Sequence, residues 1–107
     1  VTLFAQFITM TIEPGQEGRL DSVFDELAVA EAEGDGVLRL IGMRDQGDPS
    51  QAHALVVFES EEKARAREQD PATAVAMRSA RELMAEVFVG PPTFIDLTVV
   101  RDAVIAR

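Results

Sequence analysis

From Leu3 to Ile12 the chain alternates like a β-strand, yet neither of its faces is polar. Phe4, Gln6, Ile8, Met10 and Ile12 share one side, and Leu3, Ala5, Phe7, Thr9 and Thr11 share the other, because successive strand side chains point to opposite faces. A strand that is largely apolar on both sides needs cover on both. That demand limits every architecture the remaining residues can build. Glu13-Pro14-Gly15 stops the strand, since Pro14 lacks the ladder N–H and Gly15 tolerates a turn.

The period then changes. Leu20, Val23, Phe24, Leu27 and Ala30 recur at three- and four-residue intervals, the stripe of an amphipathic helix over 17–32, with Asp21, Asp25 and Glu26 off the stripe. Glu33-Gly34-Asp35-Gly36 supplies the stop. Val37 to Arg44 and His53 to Glu59 read as two further strands, joined by a turn-rich Asp45–Gln51 segment in a long hairpin. Ser60 fits a helix N-cap, with Glu61 and Glu62 in the first turn where negative charge suits the helix dipole. That short helix breaks at Asp70-Pro71, itself an N-cap followed by Pro at the first helical position. The next helix carries Ala72, Ala76, Ala80, Leu83, Met84 and Val87 along one side. Gly90-Pro91-Pro92 ends it, and Thr93 to Val100 forms a last strand.

The order is strand, helix, strand, strand, broken helix, strand. In an α+β domain of ferredoxin-like βαββαβ type, this order gives an antiparallel sheet with the helices on one face. All 107 residues fit one such domain. No element is left to cover the other sheet face, which carries Leu3, Phe7, Leu55 and Val57. A large apolar patch in water is rare on a monomer, so a homodimer through the open sheet is the expected arrangement.

The formal net charge of -9 repels phosphate backbones and anionic lipid, and no cluster of Lys and Arg offsets it. Nucleic-acid and membrane-surface partners are therefore not expected. The absence of cysteine removes disulfides, thiolate nucleophiles and thiolate metal sites, and fits a cytoplasmic protein. No apolar run approaches the roughly 20 residues of a membrane span. With a single His and scattered carboxylates, no metal is indicated.

Three segments carry a resemblance. Glu13-Pro14-Gly15-Gln16-Glu17 after an apolar strand, then Phe58-Glu59-Ser60-Glu61-Glu62, then Asp70-Pro71, resemble the antibiotic biosynthesis monooxygenase family of dimeric α/β barrels. Phe58 stands where the family's Trp is usual, and Ala72 where its His follows the Pro. The resemblance implies a homodimer whose sheets form a barrel, with a ligand cavity in each subunit between sheet and helices. It also implies oxidation of aromatic polyketides or quinols by dioxygen with no bound cofactor. Relatives that open the haem ring use an Asn, a Trp and a helix His. This chain has no Trp, Tyr or Asn; Ile8 falls at the Asn position and the His position falls near Met77. Haem breakdown by that route is not expected.

Gln6 is the polar anomaly of its strand face. A buried amide must be hydrogen-bonded, and its partner is either a ligand oxygen or a group of the protein itself. Phe58 either walls an aromatic-ligand pocket or is plain core. Met10, Met77 and Met84 fill irregular space and adapt to varied ligands, or simply pack the core. Phe4 and Ile8 complete the expected pocket wall. His53 has the one side chain that titrates near neutrality unperturbed, but alternation sets it opposite Phe58, on the dimer face. Arg39 and Arg44 leave the second strand on opposite faces; Arg78 and Arg81 leave the third helix, and any of these could pair with an anionic ligand group. The weak catalytic candidates are Gln6 and Arg78. The function expected is a cofactor-independent monooxygenase acting on a small apolar, aromatic or quinone-type metabolite. The alternative is a non-catalytic ligand-binding or structural dimer of the same fold.

Overall fold

The computed structural model describes residues 2–106. Strand β1 spans Phe4–Thr11, β2 Val37–Arg44, β3 Gln51–Phe58 and β4 Thr93–Thr98. Helix α1 spans Leu20–Ala32, preceded by a 3-10 turn at Glu17–Arg19; α2 spans Glu61–Gln69 and α3 Pro71–Val87. The sheet has the order β2-β3-β1-β4, and every neighbouring pair is antiparallel. This is the ferredoxin-like βαββαβ arrangement with its second helix broken in two.

Strand alternation separates the faces as the sequence pattern predicts. On β3 the burial alternates strictly: Ala52, Ala54, Val56 and Phe58 are buried under the helices, while His53, Leu55 and Val57 face the other way. The register Phe4↔Phe58, Ile8↔Ala54 and Met10↔Ala52 puts the first-strand set beneath the same helices. The helix-free face carries Phe7, Leu55, Val57, Ile95 and Leu97, with Ile95 and Leu97 55% and 40% exposed.

The apolar interior is in two parts. Met10, Ile12, Leu20, Val23, Leu27, Ala52, Ala80, Val87 and Phe88 pack where α1 and α3 cover one end of the sheet. Phe4, Val56, Phe58 and Ala64 pack where α2 covers the other end. Ile8 and Leu40 lie against both. The caps follow their sequence signals: Ser60 accepts from the Lys63 N–H at 3.1 Å, and the Asp70 carboxylate accepts from the Ala72 N–H at 2.9 Å. Asp70 sits at φ -79, ψ 121, because the ring of Pro71 keeps the residue before it out of the helical region.

Boundaries shift slightly. The second hairpin strand begins at Gln51, two residues before His53, since the turn closes early: the Asp45 carboxylate accepts from Gly47 and Asp48 N–H groups at 2.7 and 3.1 Å. The last strand stops at Thr98, although the Val99 N–H still donates to Leu3. Ala72, expected on the packed side of α3, is exposed in the first turn of that helix.

Gly42 sets how closely α1 lies on β2. A Cβ there would come within 2.6 Å of the Phe24 ring, closer than non-bonded carbons tolerate. Gly42→Ala should therefore lower stability by about 1–3 kcal/mol, the usual range for overpacking a tight contact. A lower urea midpoint at unchanged slope is the expected readout; an unchanged midpoint would show that α1 moves freely.

Candidate functional site

Between the two packed ends of the sheet lies a half-open cleft of about 810 Å³. That is within the roughly 300–1,000 Å³ typical of small-molecule sites. Its floor is the helix-covered sheet face: Ile8, Met10, Leu40, Ala54, Val56 and Phe58. Met77, Met84 and Ala85 of α3 form one wall, and Ala64 with the polar side of α2 forms another. Phe88, Gly90, Pro92 and Phe94 close the end where α3 leads into β4. The small side chains at 54 and 64 leave the space; the flexible Met side chains shape it.

Set into this apolar lining is an ion pair. Arg67 of α2 donates to the Glu33 carbonyl at 2.6 Å and, through its other terminal nitrogen, to the Glu31 carboxylate of α1 at 3.3 Å. The side chains are only 10% and 16% exposed. Burial pushes the Glu31 carboxyl above the ordinary carboxylate range, against the opposing charge and hydrogen bond of Arg67.

A second polar group sits at the rim. Arg65 reaches Asp96 of β4 at 2.7 Å, and Glu61 and Glu68 of its own helix at 3.1 Å each. Its guanidinium also lies over the Phe4 ring, 5.2 Å from the centroid. Gln6 joins from the floor, its Nε2 donating to Asp96 at 3.2 Å and to Glu68 at 3.4 Å. Hydrogen bonds from Arg65 and then Gln6 hold the Asp96 carboxyl below its usual range. The Arg65 guanidinium is held protonated, chiefly by Asp96 and then Glu61. The network straps α2 to β1 and β4 along one lip of the cleft.

No family model and no curated protein matches the sequence. Solved structures do match over almost its whole length. A protein of unknown function from Nitrosomonas europaea is 23% identical, with 99% of this chain and 97% of that chain covered at a TM-score of 0.70. A protein from Chloroflexus aurantiacus, named provisionally as an antibiotic biosynthesis monooxygenase, is 20% identical over 97% and 99%, at 0.67. SnoaB, a cofactor-independent oxygenase from Streptomyces nogalater, is 14% identical over 96% and 97%, at 0.70. The fold is that of the antibiotic biosynthesis monooxygenases. At these identities the likeness concerns architecture alone.

Gln6, Ile8, Met10, Phe58, Met77 and Met84 all line that cleft. Phe4 does not; it is buried against Phe58, ring centroids 5.9 Å apart, beneath Arg65. Arg78 is exposed and lies off the cleft, because the helical step of 100° per residue turns it away while Arg81, three residues on, lines the rim. Arg39 pairs with Val57 and so faces away from the helices; Arg44 is tied to the Glu17 carbonyl at 2.8 Å. His53 stacks on Phe7 at 5.1 Å and meets the Thr9 hydroxyl through Nδ1 at 3.1 Å, on the helix-free face. Among the described residues no group of three or more His, Cys, Asp or Glu is placed to hold a metal, and no helix is long and apolar enough to cross a membrane.

The residues that sequence reasoning missed are the charged ones: Glu31, Arg65, Arg67, Glu68 and Asp96. Along the chain they read as solvated helix or strand faces.

A carbon-detected NMR titration of the carboxyls should place Glu31 above and Asp96 below the ordinary range. Asp96 is depressed in the fold, so its contribution to stability is present above the unfolded carboxylate pKa and is lost as pH falls through its lower folded value. Glu31 is raised, so the contribution of its burial runs the opposite way: present in acid, and lost as pH rises through its folded pKa. Arg65→Ala should return Asp96 toward the ordinary value; an unmoved Asp96 would remove Arg65 as the cause.

Proposed function

We propose that this chain is a cofactor-independent monooxygenase acting on a small, flat aromatic or quinone-type metabolite, and that it works as a homodimer through its helix-free sheet face. The observation that carries the reading is the cleft: a space of ligand size, apolar on its sheet floor and along Met77 and Met84 of α3, with charged groups on the α2 side. A fused aromatic ring system suits a slot between the sheet floor and the Met77–Met84 wall, where sulfur contacts with ring edges add to the apolar burial. With both amide hydrogens of Gln6 directed to carboxylates, its Oε1 remains to accept from a substrate hydroxyl.

The reaction that such a cleft supports draws its electrons from the substrate. An anthrone-type substrate loses a proton to give a carbanion stabilised over its rings. The carbanion adds dioxygen, the resulting peroxide loses water, and a carbonyl remains. One oxygen atom enters the product and the other leaves as water. The protein's part is to take the proton, orient the ring and exclude water.

A second reading has its own support. Both amide hydrogens of Gln6 are already taken by Glu68 and Asp96, so it has no donor left to polarise a substrate carbonyl. A binding protein that holds the same flat ligands without turning them over fits that observation.

Oxygen uptake with anthrone and a panel of hydroquinones separates the two. The oxygenase reading expects consumption matched by product formation, and Gln6→Leu should lower the rate roughly tenfold, the worth of one hydrogen bond. Tight binding with no uptake across the panel would support the binding protein instead. The dimer rests on the apolar residues Phe7, Leu55, Val57, Ile95 and Leu97 sharing one uncovered face. Sedimentation at micromolar concentration should give a dimer, and Val57→Arg should give a monomer; a monomeric wild type would end this part of the proposal.

A further inference from the structure

We infer that Glu31 is the proton acceptor of the cleft, and that Arg67 holds the anion the substrate becomes. The inference rests on the oxygenase reading and assigns its first step to two residues of this chain.

The geometry supports it in three ways. Both side chains line the cleft, yet Arg67 is only 10% and Glu31 only 16% exposed, so they meet a ligand in a poorly hydrated space where charge interactions are strong. The two contacts of Arg67 are unequal. Its bond to the Glu33 carbonyl is short, 2.6 Å, and fixes the guanidinium at the C-terminal end of α1; its contact with Glu31 is 3.3 Å, the more readily exchanged. The remaining charges of the cleft are engaged elsewhere or lie at its rim. From α2, Arg65 and Glu68 are bound to each other, and Arg65 to Asp96 of β4; from α3, Arg81 is exposed. The sheet contributes one charge, Asp96 of β4, which Arg65 and Gln6 engage, and on α1 itself only Glu31 lines the space.

Charge balance gives the step its logic. At rest, Glu31 and Arg67 sum to zero. A phenol or anthrone in the cleft passes a proton to a Glu31 oxygen, and the electron pair stays on the substrate as phenolate or enolate. The carboxyl is now neutral, and the substrate oxygen takes its place opposite Arg67. The cleft carries the same net charge before and after, so no unpaired ion is created in a low-dielectric site. Burial raises the Glu31 pKa, which makes it a stronger base than a surface carboxylate.

The test has two arms. In the first, para-nitrophenol is bound to the intact protein, its anion read by visible absorbance and net proton release by calorimetry in two buffers of different ionisation enthalpy. Wild type should bind the anion with no proton released to solvent, since Glu31 keeps it. Glu31→Gln should still bind the anion through Arg67, but with one proton released and an affinity that rises with pH. Binding of the neutral phenol by wild type, release of its proton to solvent, or no binding at millimolar probe would each overturn the inference.

In the second arm, oxygen uptake with anthrone is followed against pH. Glu31→Gln should lose about a hundredfold or more in rate, in keeping with a general base. The deficit should shrink as pH rises through the substrate's own pKa, where the substrate arrives already ionised. A purely structural role predicts a deficit constant with pH, and that result overturns the inference. Glu31→Asp, which keeps a carboxylate opposite Arg67, should recover part of the rate; if Glu31→Gln does not fold, an Asp variant with the wild-type proton balance supports the role and one that releases the proton to solvent overturns it. Loss of the first-arm signature with oxygen uptake intact sinks the role of Glu31 alone. Absence of uptake in wild type sinks the oxygenase reading while the first arm still reports on the proton.

Discussion

The backbone break at Asp70-Pro71 is the constraint on which the site depends. An uninterrupted helix from Glu61 to Val87 would be one rod crossing the sheet in a single direction. Pro71 denies Asp70 the helical region, and the Asp70 carboxylate restarts the helix by accepting from the Ala72 N–H. The two pieces then cover different ends. α2 settles on Phe4, Val56 and Phe58, while α3 packs with α1 over Met10 and Ile12. Neither reaches the middle of the sheet, and the cleft is what remains between them.

This division also explains the uneven chemistry of the lining. The α3 side is apolar, since its residues pack against the larger core before they reach the cleft. The α2 side is charged, because a nine-residue helix with few apolar residues cannot bury one face in a core. It is held instead by polar ties: Arg67 to the end of α1, and Arg65 to β4. Ties of this kind contribute little when they lie in water and more when they are buried. The Arg67–Glu31 pair is thus both a fastening of α2 and the most buried ion pair among the described residues.

The two faces of the sheet answer different requirements. The helix-covered face is complete apart from the cleft, with Ala52 and Ala54 fully enclosed. On the other face Phe7 and His53 stack, but they cover only part of the apolar surface between β2 and β4.

The fold was legible in the residues because its determinants are local. Two-residue alternation in Leu3–Ile12, the Leu20–Ala30 stripe, and the Ser60 and Asp70-Pro71 caps each act within a few positions, so periodicity and turn chemistry specify element type, order and sheet face. The sheet side of the cleft was legible for the same reason: alternation puts Gln6, Ile8 and Met10 on one face of β1, and Ala54, Val56 and Phe58 on one face of β3. What the sequence by itself determined is therefore the βαββαβ order, the break in the second helix, and which sheet face lies under helices. The tertiary structure alone decided that Phe4 is core, that Arg81 rather than Arg78 meets the cleft, and that Glu31, Arg67 and Asp96 converge on it. Those ionisable residues sit on three elements far apart in sequence. On each element alone they are a solvated face, and only the packing of α2 against α1 and the sheet takes them out of water and gives their charges a common space.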